Sequence, residues 1–148
     1  YAMRISVLAL DGLFDTGLAV ILDAFSLANN FSARKMGGTP HFDVSIVGVR
    51  RKVRSGQGMP IPVQPITPDL KPDWVIIPAL GTGTPERLVP ALERPDVRKA
   101  KDQILKWHAG GALIEKPLRL GGSARYFGSA IRMFCSTNLA CSCRLRWG

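Results

Sequence analysis

Four short apolar runs, each bounded by turn residues and set apart by stretches of helical period, constrain the fold of this chain more than any other feature. The first, Met3 to Leu10, is mainly apolar and ends at Asp11-Gly12. The second, Phe42 to Gly48, alternates apolar with polar and then turns fully apolar. Trp74 to Pro78, between Pro72-Asp73 and the glycine-bearing loop Ala79 to Thr84, is the strongest strand signal, and Ala112 to Ile114 follows Gly110-Gly111. Runs of this kind suit strands covered on both faces in a parallel sheet.

Between them the period changes to that of a helix. Leu18, Ile21, Leu22, Phe25 and Ala28 recur at helical spacing after a cap at Asp15 or Thr16, with Asn29-Asn30 as a stop and Arg34 to Pro40 as a loop. Pro85 fits the first turn of a helix reaching toward Leu92. Another helix starts near Pro95-Asp96, with Val97, Ile104, Leu105 and His108 on one face. Ser55 to Gly58 reads as a turn, and the three prolines between Met59 and Pro65 allow only an edge strand there. Strands alternating with helices predict an α/β doubly wound parallel sheet, with Met3 to Leu10 central and its site at the carboxyl ends of the strands.

At 148 residues, with 46% apolar and 21% charged residues, the chain is the size of one domain, and folding would bury about 68–70% of its unfolded surface. No apolar run approaches the ~18 residues of a membrane span, and Arg4 interrupts the first one, so a cytoplasmic protein without membrane contact is expected. Residues 1–114 carry 14 Lys/Arg against 10 Asp/Glu, residues 115–148 carry 6 against 1, and together these give the net charge of +9. The basic run Arg50-Arg51-Lys52-Val53-Arg54 reads as a solvated loop. Cys135, Cys141 and Cys143 are an odd cluster and make no disulfide framework; with His41 and His108 far away, no metal site is expected.

Several stretches, in order, resemble one family. They are Val-Leu-Ala-Leu-Asp-Gly (7 to 12), Leu-Asp-Ala-Phe-Ser-Leu-Ala-Asn (22 to 29), Val-Ser-Ile-Val-Gly (44 to 48), Ser-Gly-Gln-Gly-Met-Pro-Ile (55 to 61), Asp-Trp-Val-Ile-Ile-Pro (73 to 78) and Trp-His-Ala-Gly-Gly-Ala-Leu-Ile (107 to 114). Over residues 1–114 the chain resembles the PfpI/ThiJ-like domain of the class I glutamine amidotransferase-like superfamily, found at the N-terminus of AraC/XylS regulators. The resemblance implies a flavodoxin-like, three-layer α/β/α sheet, here incomplete. It also implies a pocket formed by Asp23, which matches a family glutamate, by Gly12, and by the loop residues Leu80, Gly81, Thr82 and Gly83. That loop lacks the Lys-Ser/Thr of a phosphate-binding loop, so no nucleotide or other cofactor is expected.

In the family, the strand matching Ala112 to Ile114 runs into a sharp turn carrying a cysteine, whose thiol is acidified at a helix N-terminus. Here Ile114 is followed by Glu115-Lys116-Pro117. The resemblance therefore implies a non-catalytic domain that senses a small-molecule effector or dimerises, with DNA reached only through a helix-turn-helix domain missing from the chain. The alternatives are a cysteine-dependent hydrolase, glyoxalase, deglycase or isonitrile hydratase-like enzyme, and a nucleic-acid arm in the basic tail. Residues 115–148 lose the periodicity and are expected to be the product of a frameshift, deletion or misread gene, with a divergent segment bearing its own strand and helix as the other reading.

Overall fold

The computed structural model describes residues 1–36, 41–81 and 85–115. Strand β1 (Met3–Leu8) lies at the centre of a five-stranded sheet. It pairs in parallel with β2 (Phe42–Gly48), Met3 opposite Phe42 through Leu8 opposite Val47. On its other side β6 (Trp74–Ile76) is also parallel, with Ile5 opposite Trp74 and Val7 opposite Ile76. β5 (Gln64–Pro65) adds to β2 at one edge and β7 (Leu113–Glu115) to β6 at the other, both parallel. The order is β5-β2-β1-β6-β7, the central placement of the first apolar run and its two flanks expected from sequence. β7 extends one residue past Ile114 to Glu115; the rest of the tail lies outside the described residues.

β1 is mainly apolar because both its faces are covered from Ile5 onward, with Arg4 exposed at its start. Ile5, Val7 and Ala9 point into one cluster with Leu18, Ile21 and Phe25 of α1 (Asp15–Met36). Leu8 and Leu10 point into a second cluster with Ala100 and Trp107 of α3 (Pro95–Ala109). Alternate residues of one strand thus feed two cores, the arrangement that keeps a parallel sheet dry. A short helix α2 (Pro85–Leu92) begins at its proline as expected.

Three local expectations are corrected. Asn29-Asn30 does not end α1, which continues to Met36. Asn29 instead turns its amide to the sheet, donating to the Phe42 carbonyl at 2.8 Å and accepting from the His41 and Phe42 amides at 3.1 and 3.0 Å. On α3, Leu105 is 56% exposed and His108 is exposed, while Trp107 is buried and donates its indole N–H to the Leu70 carbonyl at 3.1 Å. The buried stripe runs through Asp96, Ala100 and Trp107. The basic run is not all loop, since Val53–Arg54 forms β3, antiparallel to β4 (Pro60–Ile61), and Val53 is buried.

The amino end of the sheet is closed by charge. Arg4 and Asp73, at the start of β1 and just before β6, pair at 3.0 Å, and the Tyr1 hydroxyl donates to the same carboxylate at 2.9 Å. The Arg4 guanidinium and backbone N–H beside Asp73 hold its carboxyl far below the usual range. Phe25 packs edge-on to Phe42 and Trp74, with ring centroids 5.1 and 6.2 Å apart, just inside this end.

Candidate functional site

The sheet order places a switch point between β1 and β6. From β1 the chain builds outward through β2 and β5, then crosses back to β6 and β7 on the other side. Connections leave the two central strands in opposite directions there, and open α/β sheets hold their ligands in the resulting crevice at the carboxyl ends.

Three loops meet at this crevice and are knitted by main-chain hydrogen bonds. After β1, Gly12 turns with φ +80°, where a side chain would be strained. Its N–H donates to the Arg54 carbonyl at 2.8 Å, and its carbonyl accepts the Gly81 N–H at 2.7 Å. Phe14 N–H donates to Ala79 O at 2.7 Å, and Gly56 N–H to Leu13 O at 2.8 Å. Gly81 lies so near Gly12 that a Cβ on it would sit 3.4 Å from the Gly12 carbonyl oxygen. The Phe14 ring, 42% exposed, leans over Gly81.

Asp15 opens α1 at this rim. One carboxylate oxygen, Oδ2, accepts the Gln57 N–H at 3.1 Å. The other, Oδ1, is buried and has no hydrogen-bond partner among the described residues, a condition native interiors seldom leave unexplained. The cations nearby are paired: Arg50 with Asp11, and Arg94 with Asp96 at 3.1 Å while also donating to the Asp11 carbonyl at 2.8 Å. Beside them a cleft of about 340 Å³ is lined by Val49, Arg50, Pro95, Asp96 and Lys99.

Of the residues expected to form a pocket, Gly12, Leu80 and Gly81 come together: besides the Gly12–Gly81 bond, Leu80 bridges to Leu13. Thr82 and Gly83 lie outside the described residues. Asp23 is exposed, and no hydrogen bond or ion pair among the described residues engages it. It stands eight residues beyond Asp15, about 12 Å along the helix axis at 1.5 Å per residue. Asp15 entered the sequence reading only as a helix cap. The signal that finds it is position, because a helix meets the carboxyl-end rim at its first turn and not two turns later. Among the described residues no group of His, Cys, Asp and Glu is arranged to hold a metal ion.

No family model matches the chain, and no curated protein matches it in sequence. Solved structures do match in fold. An AraC family transcriptional regulator from Pseudomonas putida superposes with a TM-score of 0.56 at 17% identity, over 77% of this chain and 63% of that one. A mutant DJ-1 superfamily protein from Salmonella typhimurium gives 0.54 at 18% identity, over 88% and 62%. Drosophila melanogaster DJ-1beta gives 0.54 at 15%, over 91% and 61%. The chain thus has the flavodoxin-like fold shared by PfpI/ThiJ-like and DJ-1 domains, and it spans less than two thirds of the length of each of these structures.

Proposed function

We propose that this chain is the ligand-sensing and dimerising part of an AraC-type transcription regulator, doing no chemistry of its own and working in the cytoplasm. Its operator would be contacted by a separate helix-turn-helix domain. The observation that favours sensing over catalysis is the makeup of the switch-point rim, which offers a buried carboxylate oxygen on Asp15 and backbone from Gly12, Leu80 and Gly81, while the first cysteine in the sequence is Cys135. A cysteine-dependent mechanism needs its thiolate within hydrogen-bond reach of a base at that rim. Thr82 and Gly83 would continue the ligand-facing loop, and Asp15, rather than Asp23, would be its acidic member.

A thermal-shift panel of small metabolites of mixed charge, run on the 148-residue chain beside an assay for glyoxalase and deglycase turnover, tests the reading. Stabilisation by at least one ligand class without turnover is expected. Turnover abolished by Cys135→Ser, Cys141→Ser or Cys143→Ser would overturn it in favour of the enzyme.

A further inference from the structure

We propose that the chain pairs with a second copy of itself through the exposed flank of α1 that overhangs β6 and β7, the two α1 helices running antiparallel. This rests on the dimerising part of the reading above and names the surface that carries it.

What the rest of α1 touches locates the flank. Asn29 turns to β2, and Phe25 packs down on Phe42 and Trp74. With 3.6 residues to a turn, Val20, Ala24, Leu27 and Phe31 then share the opposite flank, on the β6 side, and their spacing of four, three and four keeps them in one stripe. Leu27 is 53% and Phe31 43% exposed. Below them Leu113, in register with Trp74 and so on the same face of the sheet, is 63% exposed. This apolar surface lies at the amino end of the sheet, away from the switch-point rim.

The stripe is complementary to itself. Along α1 the smaller side chains of Val20 and Ala24 precede the larger ones of Leu27 and Phe31, and the acid Asp23 precedes the base Arg34. An antiparallel crossing near Leu27 sets that residue on its counterpart, lays Phe31 over the partner's Ala24, and brings Arg34 within about one turn, ~5.4 Å, of the partner's Asp23. Neither charge has an ion-pair partner among the described residues. Antiparallel helices also bring opposite dipole ends together, whereas a parallel pair would set Asp23 against Asp23. Twofold symmetry makes each of these contacts twice.

The exposed parts of these side chains offer roughly 350 Å² of apolar surface. At the nearly two-thirds apolar makeup of homodimer interfaces, each copy would bury on the order of 500 Å², below the ~800 Å² of a standard interface. The dimer is therefore weak and concentration-dependent, and it leaves the rim at the other end of the sheet open to a ligand.

The test is sedimentation equilibrium of the full 148-residue chain over a range of concentrations. A monomer–dimer equilibrium with a micromolar dissociation constant is expected. Leu27→Asp and Leu113→Asp should each weaken it by roughly tenfold or more. Leu105→Asp, on α3 at the other face of the sheet, should change it by less than about twofold. Asp23→Arg and Arg34→Asp should each weaken it by about two- to fivefold, and the double variant should recover the wild-type value. Dimerisation unchanged in both folded aspartate variants would overturn this surface while leaving the dimerising reading intact. An equal loss in Leu105→Asp would show unspecific apolar association and overturn it as well. If Leu27→Asp or Leu113→Asp does not fold, failure of the double charge variant to recover overturns it instead. A lowered melting temperature with unaltered mass would mean that another part of the chain occupies the face, and would refute the second copy. A monomer at every concentration would remove this inference and the dimerising reading together, with ligand stabilisation still deciding the sensing part.

Discussion

The two ends of the sheet carry similar residues and use them differently. At the amino end, Asp73 accepts from the Arg4 guanidinium, the Arg4 backbone and Tyr1, and Asn29 uses both its carbonyl and its amide on the first residues of β2. At the carboxyl end, Asp15 sits in an equally well-ordered setting of knitted loops with half of its carboxylate unused. At the amino end these polar groups bind one another and hold strands together, whereas among the described residues the carboxyl end retains a buried acceptor, Asp15 Oδ1, with no partner.

Substitutions can break this contrast, and the largest effect belongs to the amino end. Trp107→Ala removes a buried indole and its bond to Leu70, and should cost about 3–5 kcal/mol in urea denaturation. A smaller loss would mean that the second core is looser than its packing indicates. Asn29→Ala should cost about 1–3 kcal/mol, because it strands the Phe42 carbonyl and two amides at the start of β2. Hydrogen exchange of those amides should rise along with it, and unchanged protection would show that α1 is held to β2 by its apolar face alone.

The pH dependence sharpens the contrast with a smaller effect. Because the folded-state carboxyl of Asp73 titrates far below its unfolded value, its contribution is fully present above about pH 4 and falls away as the medium is acidified toward the folded value. Asp73→Asn should therefore flatten the acid limb of a stability profile and leave the neutral-to-alkaline limb parallel to wild type. The pair is partly exposed, at 48% for Arg4 and 30% for Asp73, so the change should also shrink in high salt. Asp15→Asn should have the least effect, changing the free energy of urea unfolding by less than about 0.5 kcal/mol, since losing a favourable charge at the α1 N-terminus is offset by easing a buried, unserved acceptor. A cost like that of Asn29→Ala would mean that Asp15 is structural after all.

The sequence made the architecture legible because parallel strands advertise themselves. Met3 to Leu10 is mainly apolar, with only Arg4 and Ser6 polar, and a run of that kind suits a strand covered on two faces. What it concealed were side chains acting across long separations. Asn29 looks like a helix stop, since asparagine competes for backbone hydrogen bonds, yet the backbone it captures belongs to residues 41 and 42. Helical period alone placed Leu105 and His108 on the buried face, and only the reach from Trp107 to Leu70 fixes the rotation of α3. Asp15 and Asp23 are both helix aspartates after an apolar strand, and spacing does not separate them. Their distance from the strand end does.

The central place of β1 also bears on how the protein is made. Its second partner arrives late, for β6 begins only at Trp74 and Asp73 follows Arg4 by 69 residues. At about 5–20 residues per second, β1 emerges roughly 3 to 14 s before the strand that will cover its second edge. During that interval an apolar segment with an unpaired edge stands open to other nascent chains. Yield in a cell should therefore depend on translation speed and chaperone supply even where the finished fold is sound.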